Sequence, residues 1–348
     1  MKKIILIILA LLIIVSIALA WVFAGSSTRF TSSKKAFYIH SNAATKQTVL
    51  DSLIADSIIR NEVAFNWLAE RMDYWKNIKP GKYEVKRGSS LFTVLRLLKN
   101  GKQSPVNLTI TKLRTKEDLA RIVGNKFETD SVQMMRFLNS PDSLKRFDED
   151  TGSVMCSVLP DTYIYFWNIH PSAIYEKLSE ASKKFWTDER KRKAREHGLT
   201  PRQVYILASI IEEETNYQPE KGNIASVYIN RYNRGMPLQA DPTIKFALRD
   251  FGLKRIYGKY TGVESPYNTY KNKGLPPGPI CTPSRKTIEA VLDAPQTNYM
   301  YFVVNSGHTG THAFSETYEE HLEKARQYHI HLDSVQKAEE VINNGSQK

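Results

Sequence analysis

The strongest constraint on this chain lies at its start. Ile4 to Ala24 is an unbroken apolar run except for Ser16, and about 20 such residues span a bilayer as a helix, which satisfies its own backbone hydrogen bonds. Ala18-Leu19-Ala20 after the basic Lys2-Lys3 start also fits a signal-peptidase site. A signal-peptide core, however, runs only about 7–15 residues, and here the apolar character continues through Trp21, Val22 and Phe23. The sequence therefore predicts a single-pass transmembrane anchor over residues 1–24 in the cytoplasmic (inner) membrane. Long domains translocate largely regardless of flanking charge, so the body is expected on the periplasmic or extracellular side.

The rest of the 348-residue chain is long enough for roughly two domains. Its 41% hydrophobic residues, with only 17 Gly and 15 Pro, exclude collagen-like and wholly disordered readings. Forty-nine Lys and Arg against 36 Asp and Glu give a net charge of +13, which suits an anionic lipid surface or acidic polymer. With an anchor, nucleic acid is not an expected partner. Cys156 and Cys281 form no C-x-x-C pair and are expected to pack as small apolar residues.

Residues 25–36 (GSSTRFTSSKKA) are small and polar and read as a flexible linker. Between 37 and 105 the pattern predicts helices near Val49–Ile59 and Val63–Met72, a strand at Gly81–Val85, and a helix from Ser90 closed by Asn100-Gly101. This small α+β module resembles a LysM-like glycan-binding unit; a generic spacer fits the same pattern. From 106 to 342 the chain reads as a helix-rich domain with a small β-sheet, including a long helix over Ser172–His197, and 343–348 as a disordered tail. The cluster Arg190-Lys191-Arg192-Lys193 on that helix is either an anion-contacting patch or a solvated face. The fold class is α+β.

Thr200-Pro201-Arg202-Gln203 carries an N-cap, a first-turn proline and a capping-box glutamine. The helix it starts is expected to reach Thr215. At 100° per residue Ile206, Leu207, Ile210 and Ile211 form one stripe, and Glu214 falls near its centre, with Glu213 at the edge and Glu212 roughly opposite. Glu214 is thus the carboxyl that burial would keep protonated, a candidate general acid; a neighbouring Arg or backbone donor would instead make it structural. Asn230, Arg231, Gln239 and Asp241 follow, then Tyr267, Asn268 and Tyr270, a mixture of aromatics and amides that suits sugar binding. Asp241 before Pro242 also fits an N-cap.

Ala208-Ser209-Ile210-Ile211-Glu212-Glu213-Glu214-Thr215, Ala225 to Arg231, Leu238 to Thr243, Tyr267 to Tyr270 and Gly274-Leu275-Pro276-Pro277-Gly278 together resemble the endolytic murein transglycosylase (MltG or YceG-like) family. The resemblance implies that Glu214 is the catalytic acid/base of a lytic transglycosylase, a lyase cleaving the β-1,4 bond between N-acetylmuramic acid and N-acetylglucosamine in nascent peptidoglycan. No water is used, and the 1,6-anhydro end it leaves terminates strand elongation. It implies peptidoglycan strands as substrate and synthesis enzymes of the wall as partners; no cofactor is expected, and His308 and His312, four apart with Gly310 between them, are not expected to hold a metal. Two departures stand out: the family's Lys before the catalytic Glu is Glu213, whose charge is expected to raise the pKa of Glu214, and the later His-Thr-Phe is His312-Ala313-Phe314. His312 reads as a strand residue, in 311–315 paired with 299–304. Competing functions are a non-catalytic peptidoglycan-binding scaffold and, if Asp241 faces Glu214, a hydrolase.

Overall fold

The structure is a computed structural model describing residues 2–253, 255–305, 310–328 and 330, with side chains described for all of these but 2 and 15–22. The expected tail at 343–348, and His308, lie outside them. Helix α1 (Lys2–Ala24) covers the N-terminal apolar run. Among the described residues no helix is long and apolar enough to cross a membrane. The chain divides into two compact units.

Unit 1 holds the residues up to Leu108 together with Arg121–Met134 and Ile164–Pro171. In it β1 (Lys34–Ile39) is followed by α2 (Lys46–Ala55), α3 (Glu62–Arg71), β2 (Gly81–Lys86) and α4 (Leu91–Lys99). Strands β1 and β2 are antiparallel, with Phe37 opposite Tyr83 and their rings stacked at 5.7 Å. Thr45, Asn61 and Ser90 cap the three helices through their side chains. Their apolar faces close over Phe37, Leu53, Phe65, Leu95 and Leu98, all with no exposed surface.

The segment 25–36 differs from the flexible linker that its composition predicts. Ser26 bridges Ser90, the Ser27 hydroxyl donates to Ser89 O at 2.9 Å, and Arg60 donates to Thr28 O at 3.0 Å. Ser27 and Thr28 are buried. Small hydroxyl side chains can be buried when each finds a partner, and composition does not register partners.

Unit 2 takes in Thr109–Ala120, Met135–Tyr163 and the chain from Ser172 onward. Along the sequence come β3 (Val106–Ile110), α5 (Lys116–Gly124), α6 (Ser131–Leu138), α7 (Pro141–Lys145), β4 (Asp161–Tyr165) and α8 (Pro171–Phe185), of which β3, α5, α6, β4 and α8 have residues in both units. Next are α9 (Asp188–Glu196), α10 (Pro201–Glu214), α11 (Lys221–Asn233), α12 (Asp241–Leu248), α13 (Arg285–Leu292), β5 (Tyr301–Val304) and β6 (His312–Ser315). A helical stretch at 318–328 follows. β3 pairs with β4 and β5 with β6. The predicted long helix is two, because Thr187 interrupts it and caps α9. The basic cluster on α9 is largely consumed by ion pairs: Arg190 with Glu289, Lys193 with Asp293, and Arg192 with Glu196. Cys156 and Cys281 are free and buried, and desolvation pushes both thiols well up.

Helix α10 is the axis of unit 2. Thr200 and Gln203 form the predicted capping box. Instead of one apolar stripe, all eight residues from Val204 to Ile211 are buried, as in a helix wrapped by neighbours. The polar members are satisfied inside: the Tyr205 hydroxyl donates to Val158 O at 2.5 Å, and Ser209 Oγ accepts from Ile280 N at 3.0 Å.

The 274–279 loop packs so closely that a Cβ on Gly278 would sit 2.2 Å from Gly152 O and 2.9 Å from the Tyr267 hydroxyl. Gly278→Ala is therefore expected to cost about 1–3 kcal/mol through overpacking, whereas Gly258→Ala, where the added atom meets nothing within 4 Å, should stay near the wild type. Urea denaturation of the two variants checks this.

Candidate active site

Helix α10 ends in Glu212, Glu213 and Glu214, and Thr215 leaves it in an extended conformation. The negative pole of a helix disfavours carboxylates at this end, so each needs its own remedy. Glu212 receives the Lys221 ammonium at 2.9 Å and hydrogen bonds from the hydroxyls of Ser284 and Thr287. Glu213 pairs with Lys112 at 2.6 Å and Arg114 at 3.1 Å. Burial alone would raise the Glu213 carboxyl, but these two cations outweigh it and hold the carboxyl below its ordinary value.

Glu214, which is half-buried, has no such cation partner among the described residues. Its Oε1 accepts one hydrogen bond, from the Tyr228 hydroxyl on α11 at 2.5 Å. Desolvation pushes its pKa up to about 7; the Tyr228 hydrogen bond and the Lys245 charge pull down against this, and the charge of Asp241 pushes further up. The neighbour that raises it is thus Asp241, not Glu213, whose own charge is answered by Lys112 and Arg114. A carboxyl poised near neutrality can give a proton and then take one back.

Glu214 opens into a cavity of about 410 Å³ that also receives Arg231, Gln239, Asp241 and Tyr270, four of the seven binding candidates. Asp241 does not cap α12: Ala240 holds the cap position without a side-chain cap, while Asp241 accepts the Tyr270 hydroxyl at 2.5 Å. The other three candidates brace the surroundings. Asn230 donates to Thr297 O and Tyr299 O at 2.8 and 3.0 Å. The Tyr267 ring packs on Phe246 at 4.6 Å, and the fully buried Asn268 pins its own loop through Thr261 O and Val263 O.

Several lining residues are not legible in the sequence. Tyr228 lies one helical turn before Arg231, a spacing that puts both on one face. Tyr301 on β5 and His321 on 318–328 come from distant segments and carry no local signal. β5 and β6 pair as the pattern predicts, Val304 opposite His312. His312 also lines the cavity, its Nδ1 held 2.9 Å from buried Glu220. Among the described residues no group of three or more His, Cys, Asp or Glu could hold a metal ion.

A second cavity, of about 360 Å³, lies by Pro201 and Arg202 near the other end of α10 and holds Glu149. Burial raises that carboxyl, but the hydroxyls of Ser153 and Ser157 and Arg202 all serve it. It is a satisfied structural group.

A model of the YceG-like family matches residues 37–327. The endolytic murein transglycosylase of Bacillus subtilis (strain 168) is 25% identical over 305 residues, covering 82% of this chain and 83% of that protein. The endolytic murein transglycosylase of Streptococcus pneumoniae D39 is 27% identical over 290 residues, 74% of this chain, which spans 52% of that longer protein. A 2.6 Å crystal structure of a yceG-like protein from Listeria monocytogenes aligns with a TM-score of 0.54 at 25% identity, covering 84% of this chain and 99% of that one.

The electrostatics give two expected outcomes. A carboxyl raised in the folded state binds its proton more tightly than when unfolded, so stability falls as pH rises from the ordinary glutamate value toward 7. Glu214→Gln should therefore match the wild type near pH 4 and exceed it above pH 7 by up to about 3 kcal/mol, read by urea denaturation across pH. Tyr228→Phe removes a hydrogen bond that favours the carboxylate, and the Glu214 midpoint, followed by carbon-13 NMR, should move further up.

Proposed function

We propose that this chain, which belongs to the YceG-like family, is a peptidoglycan lytic transglycosylase with Glu214 as its single acid and base. The names of the Bacillus and Streptococcus relatives support the substrate class. The observation that carries the mechanism is a half-buried Glu214 carboxyl at a polar cavity, held by the Tyr228 hydroxyl and, among the described residues, by no cation in an ion pair. Protonated Glu214 gives its proton to the leaving O4 of N-acetylglucosamine as the muramoyl C1–O4 bond breaks. The resulting carboxylate then takes the proton of the muramoyl 6-hydroxyl as O6 bonds to C1. The product is a 1,6-anhydro end, the carboxyl returns to its starting state, and no water is consumed. Arg231, Gln239, Asp241 and Tyr270 line the groove in this reading, with Asn230, Tyr267 and Asn268 supporting it from behind.

Asp241 favours one other reading. It shares the cavity with Glu214, and a second carboxylate is what a hydrolase uses to activate water. Its engagement by the Tyr270 hydroxyl weighs against that role, and the fate of solvent oxygen separates the two.

We further infer that the enzyme is anchored in the cytoplasmic membrane through residues 1–24 and acts outside it on nascent strands, near the synthesis enzymes. Twenty-three helical residues in α1 reach about 34 Å at 1.5 Å each, and Ile4 to Ile14 present exposed apolar side chains. The β–α–α–β order of β1, α2, α3 and β2 supports reading the first part of unit 1 as a LysM-like module that grips the strand.

The test is digestion of uncrosslinked nascent glycan by the full-length chain in oxygen-18 water, with mass spectrometry of the ends. Anhydro-muramoyl ends without label are expected, and Glu214→Gln should lower the rate about 10²–10⁴-fold. Labelled reducing ends would establish the hydrolase; binding without cleavage would establish a scaffold. The rate of the wild type should fall as pH rises above about 7, where Glu214 loses its proton.

A further inference from the structure

Arg231, in the last turn of α11, is only 7% exposed. Its Nη2 donates to Gln239 Oε1 at 2.5 Å, while its Nε has no hydrogen-bond partner. Among the described residues no Asp or Glu pairs with it: the two carboxyls of the cavity are engaged elsewhere, Glu214 by Tyr228 and Asp241 by Tyr270. The guanidinium lies 5.6 Å from the centre of the Tyr301 ring. His321 stacks on the same ring at 5.3 Å, and its buried Nδ1 likewise has no partner. Gln239, which holds the guanidinium, has a φ of 55°, a left-handed conformation that costs a non-glycine residue free energy and collects at binding sites.

A buried cation without a counter-charge is unfavourable, and here it lines an open cavity. The planar fork of a guanidinium matches a carboxylate through two parallel hydrogen bonds. We propose that Arg231, backed by Tyr301 and His321, forms a carboxylate-binding subsite beside Glu214 that takes an acidic substituent of the glycan strand. Two substituents supply that chemistry, the lactyl carboxylate of a muramoyl residue whose peptide is absent and a carboxylate of the peptide attached to it. The substrate reading above is the premise for this assignment. N-acetylglucosamine carries no acid, so occupation of the subsite fixes which of the two alternating sugars lies on each side of Glu214. The strand is thereby set in register for cleavage on one side of the muramoyl residue only.

The test is binding of small probes to the full-length chain by calorimetry or NMR. The probes are N-acetylmuramic acid and its methyl ester, N-acetylmuramoyl-L-alanyl-D-isoglutamine and its methyl ester, and N-acetylglucosamine as the neutral reference. At least one acid should bind about tenfold or more tighter than its own ester. Discrimination in the first pair identifies the lactyl group, and in the second pair the peptide. Arg231→Gln should erase the difference, and Arg231→Lys, which keeps the charge but not the fork, should retain part of it. Equal binding of acids and esters by the wild type overturns the proposal, with no variant needed. So does discrimination that survives in Arg231→Gln. Cleavage without discrimination overturns this subsite alone, whereas discrimination without cleavage overturns the transglycosylase reading and leaves the subsite standing.

Discussion

Everything at the site depends on how three adjacent carboxyls at the negative end of one helix are kept from being equivalent. Glu212 and Glu213 are each answered by cations, from Lys221 and from Lys112 with Arg114. Glu214 receives a tyrosine hydroxyl and a loss of solvation. An ion pair stabilises the charged form, whereas desolvation stabilises the neutral one. The same residue type therefore serves as a fastener at two positions, while at the third its pKa is brought up to about 7. The cations that pair with Glu213 answer its charge locally, so it adds nothing to the shift at Glu214.

The cavity is assembled by elements that do not neighbour each other in sequence. α10 supplies the carboxyl, α11 supplies Tyr228 and Arg231, the turn into α12 supplies Gln239 and Asp241, and β5 with 318–328 supplies Tyr301 and His321. Its polar side chains engage one another in pairs, Tyr228 with Glu214, Tyr270 with Asp241 and Gln239 with Arg231. Such pairing fixes each rotamer before any sugar arrives, which is the condition for precise positioning.

The sequence was most informative where local rules act alone. The capping box at Thr200, the helices of unit 1 and the β5–β6 pairing follow from caps and periodicity, and the helical phase by itself singles out Glu214 among three glutamates. It was least informative about what polar side chains do. Asn230, Tyr267 and Asn268 have the composition of a sugar site, yet they satisfy backbone carbonyls or pack on Phe246. An amide serves either purpose equally well, and only the approach of a second segment decides. The polar residues 25–36 mislead for the same reason, since their partners, Ser89 and Arg60, lie tens of residues away. Tyr301 and His321 could not be found at all without the tertiary fold.

Because α10 is covered on every side from Val204 to Ile211, it has no free face along which to slide or fray independently. Amide protons of that segment should exchange with solvent only when unit 2 opens as a whole, since helices in the core exchange at the global limit. The carboxyl at its end is then held by a stretch that is protected up to that limit. Small excursions of surface loops can then reshape the mouth of the cavity while Glu214 itself stays fixed in space.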